Sequence, residues 1–515
     1  MFGWRRTAPA LSLGVLLLLL ASADAQVRDL DQSGLQERVF YDGPGPSGEL
    51  TGGMILLPLA MLPAPGSGPA MPVTTIVSNG PSFNRIDITC VGDGYLSSQL
   101  GLYASHVSNA VKQLFAEEPF ATYMTLFNVH RVDVVSNESG VDNDPVQGIL
   151  RDTALDMGFW CSGIERLLCV NVSLAYLQAQ QAPDVDHVLA IANSSKYGGA
   201  GYTSSDLATF SGGNPSSTEV AIHEIGHSLG NLADEYHYSD GAVYTGSEPV
   251  MRNISIFTEP EMQAADTKWA DWLMEPGVST YEGAFYHQYG IYRPTFNSKM
   301  RSLGQPFNAP SSEGLVIEMY KLIHPIDDST PLFIILEGSE SVFVDPVDPV
   351  GHTLDVQWFL DGAPIFGAQQ NTLDLSTLPL VGEHQLSVTV TDPTSFVRDE
   401  VARNLHMSET LDWWIEVPSP VFVRGDLNDN GTLDVSDAVF GLTALFVRGA
   451  ELPGCLDSAD INDDGLFNIA DPITLLSHLF VVGSPPPHPP FPECGQDPTL
   501  DAGNDLGCLT FAECS

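Results

Sequence analysis

Apolar positions along the chain change their spacing at two points, which divides most of it into three regions. From Arg85 onward, short apolar runs alternate with a longer run of helical periodicity. This pattern predicts a strand at 86–91, a helix at about 100–115 and strands at 128–135 and 187–191. Strands that alternate with helices are typical of an α/β domain, which we expect over residues 81–325.

The second region, residues 326–420, contains only short β-rich runs separated by Asp-Gly and Pro-containing turns. Its predicted strands lie at 332–336, 354–360 and 384–390, and Trp358 alternates toward the interior. The pattern predicts an all-β, immunoglobulin-like sandwich. No group of chemically active residues occurs in this region, so we interpret it as a spacer, a binding module or a plain scaffold.

The third region contains an internal repeat. The segment Asp426–Gly431 aligns with Asp460–Gly465, and each copy continues into a run of helical periodicity. We expect a small α domain over residues 421–484, followed by a Pro-rich, Cys-containing tail over 485–515.

The N-terminal end has the composition of a targeting segment. Arg5 and Arg6 precede an apolar run at 11–20, and a small-residue cleavage pattern follows at 23–25. These features predict a secretory signal peptide over residues 1–25, and the alternative is a buried N-terminal helix. No later apolar run is long enough to span a bilayer. We therefore expect a secreted, extracellular or cell-surface attached protein without a transmembrane segment.

Residues 26–80 are rich in Gly and Pro and show little periodicity, so the sequence predicts an extended lead-in to the α/β domain and leaves open whether it wraps on that domain. The whole chain of 515 residues is long enough for about three or four domains. Its 20 Lys and Arg residues against 65 Asp and Glu residues give a formal charge of −45. This charge repels nucleic-acid backbones and anionic lipid, and it favours enzymes and cation binders.

Export permits disulfides, and six of the seven cysteines are clustered. Cys161 and Cys169 form one cluster, and the second, near the C-terminus, comprises Cys455, Cys494, Cys508 and Cys514. Cys90 is left over in an apolar run, where we expect a buried, inert thiol.

The strongest chemical signal is His223-Glu224-x-x-His227 within a predicted helix. Ser216 and Glu219 have capping-box spacing, and the helix is expected to continue until Gly230. Two imidazoles one helical turn apart can bind one Zn²⁺, and the glutamate between them then lies beside the open coordination position. The alternative is that two partly buried histidines match a short pattern by chance.

This motif and the following Ala233-Asp234-Glu235-Tyr236 resemble the signature of the bacterial IgA-peptidase family, the igalysins, which are metzincin-like zinc peptidases. The usual third-ligand position of metzincins is Ala233 here, which cannot bind metal. The resemblance implies Asp as the third ligand, and we assign this role to Asp234. Glu235 and His237 remain weaker candidates.

The resemblance covers about residues 85–325, including blocks at 92–95, 128–133, 152–155 and 197–199. It also includes Asn297–Ser302, which looks like a Met-turn, so Met300 is expected to form an apolar floor under the zinc site. The resemblance implies a zinc endopeptidase that hydrolyses peptide bonds through a zinc-activated water, with Glu224 as general base. It also implies that a protein or peptide substrate is held as an added strand.

A tyrosine often stabilises the oxyanion in related enzymes. Tyr236, Tyr238 and Tyr292 are all available for this role, and the sequence does not choose among them.

The two C-terminal repeats place oxygen donors at the positions that calcium loops use. The first loop offers Asp426, Asn428, Asn430, Thr432 through its carbonyl, Asp434 and Asp437. The second loop offers Asp460, Asn462, Asp464, Leu466 through its carbonyl, Asn468 and Asp471. We expect one structural Ca²⁺ in each loop. An isolated Asx-Gly turn is the alternative, but two loops in register favour calcium.

The pair of EF-hand-like loops resembles a type I dockerin. That resemblance implies a partner such as a cohesin-like domain or a cell-surface protein, or else a purely structural role.

Together these patterns predict a secreted multidomain zinc endopeptidase with one catalytic Zn²⁺ and two Ca²⁺. The rival hypothesis is a non-catalytic, calcium-dependent adhesion protein that keeps the metzincin-like fold as a scaffold. Retention of Glu224 favours the enzyme, because a scaffold does not need the base. The cleavage specificity remains open.

Overall fold

The computed structural model describes residues 36–45, 50–64, 70–380, 382–417, 421–498, 506–508, 511 and 514. The expected signal peptide lies outside the described residues. Within this part of the chain, none of the helices combines the length and hydrophobicity needed to cross a bilayer.

The described residues form strands and helices in the following order. The strands are β1 (Gln36–Pro44), β2 (Leu50–Pro58), β3 (Val73–Val77), β4 (Ile86–Asp93), β5 (Phe127–Val132), β6 (His187–Ala192), β7 (Gly199–Tyr202), β8 (Leu207–Ser211), β9 (Val278–Ala284), β10 (His287–Thr295), β11 (Ile326–Ser329), β12 (Ile335–Leu336), β13 (Ser341–Pro346), β14 (Asp355–Leu360), β15 (Ala363–Pro364), β16 (Thr372–Asp374), β17 (Gly382–Thr391) and β18 (Ser408–Val417). The helices are α1 (Leu100–Leu114), α2 (Val172–Ala179), α3 (Ser217–Ser228), α4 (Glu259–Ala265), α5 (Ala309–Tyr320), α6 (Glu400–His406), α7 (Val435–Phe446), α8 (Leu456–Ala459) and α9 (Ala470–Phe480).

An eight-stranded mixed sheet forms the centre of the first domain, in the order β2-β1-β7-β8-β6-β4-β5-β3. Strands β5, β4, β6 and β8 are parallel, and β4 and β6 are buried along their whole length. Such strands are covered on both faces. Residues of α1 and α3 pack with one face of β4 and β6, and residues of α2 pack with the other face.

The N-terminal lead-in that the sequence predicts over residues 26–80 is different in the structure. Its described part contributes β1, β2 and β3 to the sheet of the first domain. Strands β1 and β2 form an antiparallel hairpin, and β1 also pairs with β7. The glycines and prolines of this segment interrupt the alternation of apolar residues that would indicate strands. The strands through which β1 and β3 join the sheet, β7 and β5, lie far away in sequence, so no local pattern indicates that pairing.

The second domain consists of two sheets, β11-β13-β16 and β12-β18-β17-β14-β15. Their inner faces share one apolar cluster that includes the buried Trp358 and Trp413. Strand β12 covers only Ile335–Leu336 of the predicted 332–336, and Phe333 is exposed. Helix α6 follows β17 and contacts the first domain, because Ala402 belongs to that domain's apolar cluster.

Helices α7, α8 and α9 form a small C-terminal unit around its own apolar cluster. Disulfides join Cys455 to Cys508 and Cys494 to Cys514, and a third joins Cys161 to Cys169 in the first domain. Cys90 is a free, buried thiol, and burial raises its pKa to about 12. The thiol therefore stays protonated at neutral pH and fills space in the core.

Candidate metal centre

Helix α3 carries the predicted motif and packs against β7 and β8. His223, Glu224 and His227 are all fully buried at the end of this helix. The predicted capping box at Ser216 does not form. Glu219 instead accepts hydrogen bonds from the Lys299 ammonium and from the Gly304 N–H, so its charge is used to hold a distant loop. The helix ends at Ser228, shortly before the predicted Gly230.

Both imidazoles are oriented by backbone carbonyls. His223 Nδ1 lies 3.0 Å from the Lys299 carbonyl oxygen, and His227 Nδ1 lies 2.7 Å from that of Leu232. A carbonyl can only accept, so each Nδ1 carries a proton, and in the neutral form that binds metal each imidazole turns an Nε2 lone pair inward. The two Nε2 atoms are 3.1 Å apart. Two lone pairs at this distance repel each other, and a cation bound by both nitrogens relieves that repulsion.

Asp234 is the carboxylate that the structure brings to the histidines. Its Oδ1 lies 3.3 Å from His223 Nε2 and 3.4 Å from His227 Nε2. Its Oδ2 accepts a 2.6 Å hydrogen bond from the Tyr286 hydroxyl. The preceding residue, Ala233, is fixed by reciprocal hydrogen bonds between its backbone and the side-chain amide of Asn253. The chain therefore turns Ala233 into an apolar cluster and Asp234 toward the histidines.

The two weaker candidates lie in other surroundings. The Glu235 carboxylate is buried and accepts hydrogen bonds from Ser298, Asn253, Asn308 and Ser311. Burial raises its pKa, while these donors oppose the rise. His237 Nδ1 lies 3.3 Å from the Tyr238 carbonyl, and its ring is next to Gly283. Neither side chain belongs to the cluster around His223 and His227.

Met300 lies under helix α3, as the Met-turn resemblance implies. It is fully buried, and a Cβ at Gly226 would lie 2.7 Å from its sulfur. Only a glycine at this position allows the sulfur to approach the helix so closely. The Met300 carbonyl also accepts a hydrogen bond from the Glu235 N–H, so the loop is attached on both sides of the histidines. Met300 packs against the site and does not contribute a ligand.

A further carboxylate, which the sequence reasoning missed, comes from the N-terminal hairpin. Asp42 in β1 is fully buried, and its Oδ2 lies 3.5 Å from His223 Nε2. Its Oδ1 accepts a 2.9 Å hydrogen bond from the Tyr197 hydroxyl. Asp42 is far from the helical motif in sequence, and its local context, Asp-Gly-Pro-Gly, reads only as a turn. No local signal could have identified it.

Several carboxylate oxygens of the buried cluster lack a hydrogen-bond partner. Both carboxylate oxygens of Glu224, Oδ2 of Asp42 and Oδ1 of Asp234 have no hydrogen-bond partner. Burial, together with the charges of Asp42 and Asp234, raises the pKa of Glu224 well above its usual range. Burial also raises the pKa of Asp42, although His223 opposes the shift. Unpaired carboxylates are costly in a dry interior unless a cation neutralises them.

The pKa values of Asp234 and His223 are also shifted by burial and by the charges of their neighbours. Burial opposes ionisation of Asp234, but His227 and His223 outweigh it and lower the pKa of Asp234. Burial also disfavours protonation of His223, yet Asp42 and Asp234 raise the pKa of His223 overall. The cluster therefore attracts positive charge, and a divalent cation supplies it without protonating the ligands.

The donor set fits zinc. The donor atoms of His223, His227 and Asp234 all lie within 4.8 Å of one another, and so do those of Asp42, His223 and Glu224. Two imidazole nitrogens and one carboxylate oxygen are typical of catalytic zinc sites, which keep a further position open. Among the described residues, these two overlapping groups are the ones that combine three such ligand atoms.

Of the three tyrosines that the sequence offers for oxyanion stabilisation, two have hydroxyl groups that face the hairpin. The Tyr236 hydroxyl lies 3.5 Å from the Tyr41 carbonyl, and the Tyr238 hydroxyl donates to the Gly52 carbonyl. Tyr292 lies in β10, where its backbone pairs with that of Ser255. The assignment among the three tyrosines therefore stays a prediction.

The two C-terminal loops are alike in their internal hydrogen bonds. In each loop the first aspartate, Asp426 or Asp460, accepts from the backbone N–H groups of the fifth and sixth residues. In each loop the last aspartate, Asp437 or Asp471, accepts from the N–H groups of the second, third and ninth residues. The remaining predicted ligands are Asn428, Asn430, Thr432, Asp434, Asn462, Asp464, Leu466 and Asn468, and all lie within these loops.

Each loop contains one buried side-chain oxygen without a hydrogen-bond partner, and this oxygen tests whether a cation fits the loop. The side-chain oxygens of Asn428 and Asn462, both at loop position 3, are buried and have no hydrogen-bond partner. Position 3 is a ligand position in calcium loops, and an amide oxygen is a suitable ligand for Ca²⁺. Gly431 and Gly465 have φ values of 76° and 77° at position 6, where the loop turns. Both loops are therefore compatible with calcium.

Comparison with known protein families gives a match to part of the first domain. A family model described as IgA Peptidase M64 matches residues 74–279, which include α3 and Asp234 but neither the β1–β2 hairpin nor Met300. The resemblance to the bacterial IgA-peptidase family is thus confirmed for this part of the chain. Comparison with curated proteins gives no match. The residues that match the family model therefore belong to a peptidase domain, and the family implies a metal.

Proposed function

Because residues 74–279 form a domain of the IgA peptidase M64 family, we propose that this protein is a secreted zinc endopeptidase in which His223, His227 and Asp234 hold the metal. The observation that carries the proposal is the convergence of these three donors within 4.8 Å in a fully buried pocket. The predicted signal peptide and three disulfides support secretion.

Glu224 is the proposed general base. When bound, Zn²⁺ supplies a Lewis acid that polarises the scissile carbonyl and lowers the pKa of water to roughly 7. Glu224 lies on the same helix between the two histidines, and neither of its carboxylate oxygens is occupied by a hydrogen bond. A carboxylate with no competing partner is free to take a proton from water and to pass it to the leaving amine.

The other residues of the cluster position the donors. Tyr286 holds one oxygen of Asp234, and the other oxygen faces both imidazoles. The Lys299 and Leu232 carbonyls fix the imidazole tautomers. Because one hydrogen-bond partner holds each of the three donor side chains, the donor geometry is preorganised before metal binds.

The experiment is the substitution Glu224→Gln, with Glu313→Gln as the matched control. Glu313 is also a buried glutamate, but its carboxylate accepts hydrogen bonds from the Trp272 indole and from the backbone N–H groups of Arg398 and Asp399. We expect Glu224→Gln to retain zinc and to lower the rate of casein hydrolysis by about 10²–10⁴-fold, while Glu313→Gln keeps the rate. Because the N-terminal hairpin covers the histidines, all proteins are assayed after the same limited proteolysis.

Two results would contradict the proposal. If Glu224→Gln cleaves casein as fast as the unaltered protein, Glu224 is not the base. If the unaltered protein takes up zinc but cleaves no peptide after processing, the rival hypothesis of a non-catalytic scaffold replaces the enzyme.

For the C-terminal unit we propose a dockerin-like module with one Ca²⁺ in each loop and a protein partner, such as a cohesin-like domain or a cell-surface protein. Matching positions of α7 and α9 expose apolar side chains, Val439 with Ile473 and Phe446 with Phe480. A duplicated exposed apolar face is typical of a binding surface. Calorimetric titration should show two Ca²⁺ per chain, and substitution of Asn428 and Asn462 by Ala should lower the Ca²⁺ affinity of both loops.

A further inference from the structure

We propose that Asp42 is a fourth protein ligand of the metal held by His223, His227 and Asp234. The β1–β2 hairpin thereby closes the active site and keeps the intact chain latent. This inference rests on the proposed function, because it requires that the site bind zinc.

The first observation is the position of the Asp42 carboxylate. Its Oδ2 has no hydrogen-bond partner, is fully buried and points at His223 Nε2 from 3.5 Å. The donor atoms of Asp42, His223 and Glu224 all lie within 4.8 Å of one another. Asp42 therefore occupies the space between a metal-binding imidazole and the proposed base. A catalytic site needs a water in that space, and a carboxylate there excludes it.

The second observation is the sheet edge that the hairpin covers. Strand β1 pairs antiparallel with β7, with Val39 opposite Tyr202 and Phe40 opposite Gly201. Without β1 and β2, β7 would be the edge strand of the sheet. A Cβ at Gly201 would lie 2.7 Å from the His227 Cβ, so this edge runs directly beside the proposed ligands. An extended peptide bound to that edge would take the place of β1.

The third observation is that the hairpin fills the cleft with both apolar and polar contacts. The Phe40 ring stacks on the His227 imidazole, with ring centroids 4.2 Å apart and planes inclined by 8°. The Tyr238 hydroxyl donates to the Gly52 carbonyl, and the Leu50 N–H donates to the Arg301 carbonyl. Groups on both sides of the cleft are therefore occupied by the hairpin and are not available to a substrate.

The fourth observation is the placement of the hairpin outside the family match. The matched residues begin at 74, after the end of β2 at Pro58. The matched residues therefore do not include β1 or β2. A segment outside the match that places a carboxylate beside the proposed metal ligands is suited to control access to the site.

The metal-binding experiment uses the full chain with Glu224→Gln, so that the protein cannot cleave itself. Zinc affinity is measured by competition with a chromogenic chelator, and the site is also loaded with Co²⁺. We expect Asp42→Ala in this background to weaken zinc binding by about tenfold or more. We also expect acetohydroxamate to change the visible Co²⁺ spectrum in the Asp42→Ala protein and not in the protein that retains Asp42.

Glu37→Gln is the matched control, because Glu37 is another buried carboxylate of β1. Its oxygens accept hydrogen bonds from the Ser205 N–H and hydroxyl, and it does not belong to the metal cluster. Asp42→Asn tests the same contact with the least change in shape. It should keep the hydrogen bond from Tyr197 while it removes the ligand charge.

The outcomes separate this inference from the proposed function. If zinc affinity and the Co²⁺ spectrum are unchanged by both Asp42 substitutions, Asp42 is not a ligand, while the zinc peptidase proposal stands. If the protein that retains Asp42 binds no zinc, the proposed function and this inference fail together.

A second experiment measures latency in the chain that retains Glu224. Aliquots taken during limited proteolysis are assayed for casein hydrolysis, and their N-termini are determined by mass spectrometry. We expect activity to rise at least about tenfold as species that lack β1 and β2 accumulate. Full activity of the chain that still carries the hairpin would overturn the inference.

Discussion

The two proposed metal regions of this protein are built in opposite ways. At the proposed zinc site, the candidate donors come from β1, α3 and the segment after α3, and all are fully buried. In the C-terminal loops, every donor lies within one short segment, and several donors are exposed. The zinc donors are held by contacts with distant residues, whereas the loop donors are held by hydrogen bonds to their own loop.

This difference predicts different couplings between metal binding and folding. Helix α3, which carries two of the proposed zinc ligands, packs on the eight-stranded sheet through a large apolar cluster, so we expect apolar packing to maintain the site without metal. The C-terminal unit has a small apolar cluster, and its loops bring acidic groups close together. Folding of a unit with so little core depends more strongly on its cations.

The largest expected effect separates Asp234 from its neighbour Glu235. Asp234→Ala should weaken zinc binding by about 100-fold or more, because it removes the oxygen that faces both imidazoles. Glu235→Ala should instead lower the free energy of unfolding by about 2–3 kcal/mol, because it leaves buried donors on Ser298 and Asn308 unpaired. Chelator competition and thermal melting distinguish the two. If Glu235→Ala weakened zinc binding more than Asp234→Ala does, the third ligand would be Glu235.

Selective removal of cations tests the contrast directly. Saturation with Ca²⁺ at 100 times its dissociation constant should stabilise the C-terminal unit by about 2.7 kcal/mol per site, and a calcium chelator should remove this stabilisation. A zinc chelator should abolish peptide hydrolysis and leave the melting of the first domain nearly unchanged. Calorimetry of the full chain resolves both transitions. Equal destabilisation of the two regions by their chelators would contradict the comparison.

The smallest expected effect compares two glycines. Gly226→Ala should destabilise the first domain by about 1–3 kcal/mol, because the new Cβ meets the sulfur of Met300. Gly431→Ala should cost about 1–2 kcal/mol through its φ of 76°. Met300→Ala should partly rescue Gly226→Ala, while no distant substitution should rescue Gly431→Ala. Denaturant titration of the double mutants measures this coupling, and the absence of rescue at Gly226 would show that the two residues do not clash.

Much of the zinc site could be predicted because its central residues form a local pattern. His223, Glu224 and His227 lie within two turns of one helix, and helical geometry alone places them on one side. Asp234 followed from a family resemblance, and the structure brings its carboxylate to both imidazoles. The internal hydrogen bonds of the two C-terminal loops also follow a local pattern, because position within a short loop determines which oxygens converge, and the binding of calcium there stays a prediction.

The parts that could not be predicted depend on contacts between distant segments. The sequence predicted an extended lead-in where the structure has a hairpin, because the pairing of β1 with β7 leaves no local trace. The predicted capping role of Glu219 was wrong for the same reason, since Lys299 attracts its carboxylate across the fold. The tyrosine that holds Asp234 is Tyr286, which no motif indicated.

By itself, the sequence determined which chemical groups this protein carries: a pair of histidines with a glutamate between them, a following aspartate and two oxygen-rich loops. These features depend on spacings of a few residues, which fix relative position through helix and loop geometry. Only the tertiary structure decided how those groups are surrounded, including the buried Asp42 beside His223 and the sulfur of Met300 beneath the helix. Burial and charge balance arise from segments far apart in the chain, and local spacing holds no information about them.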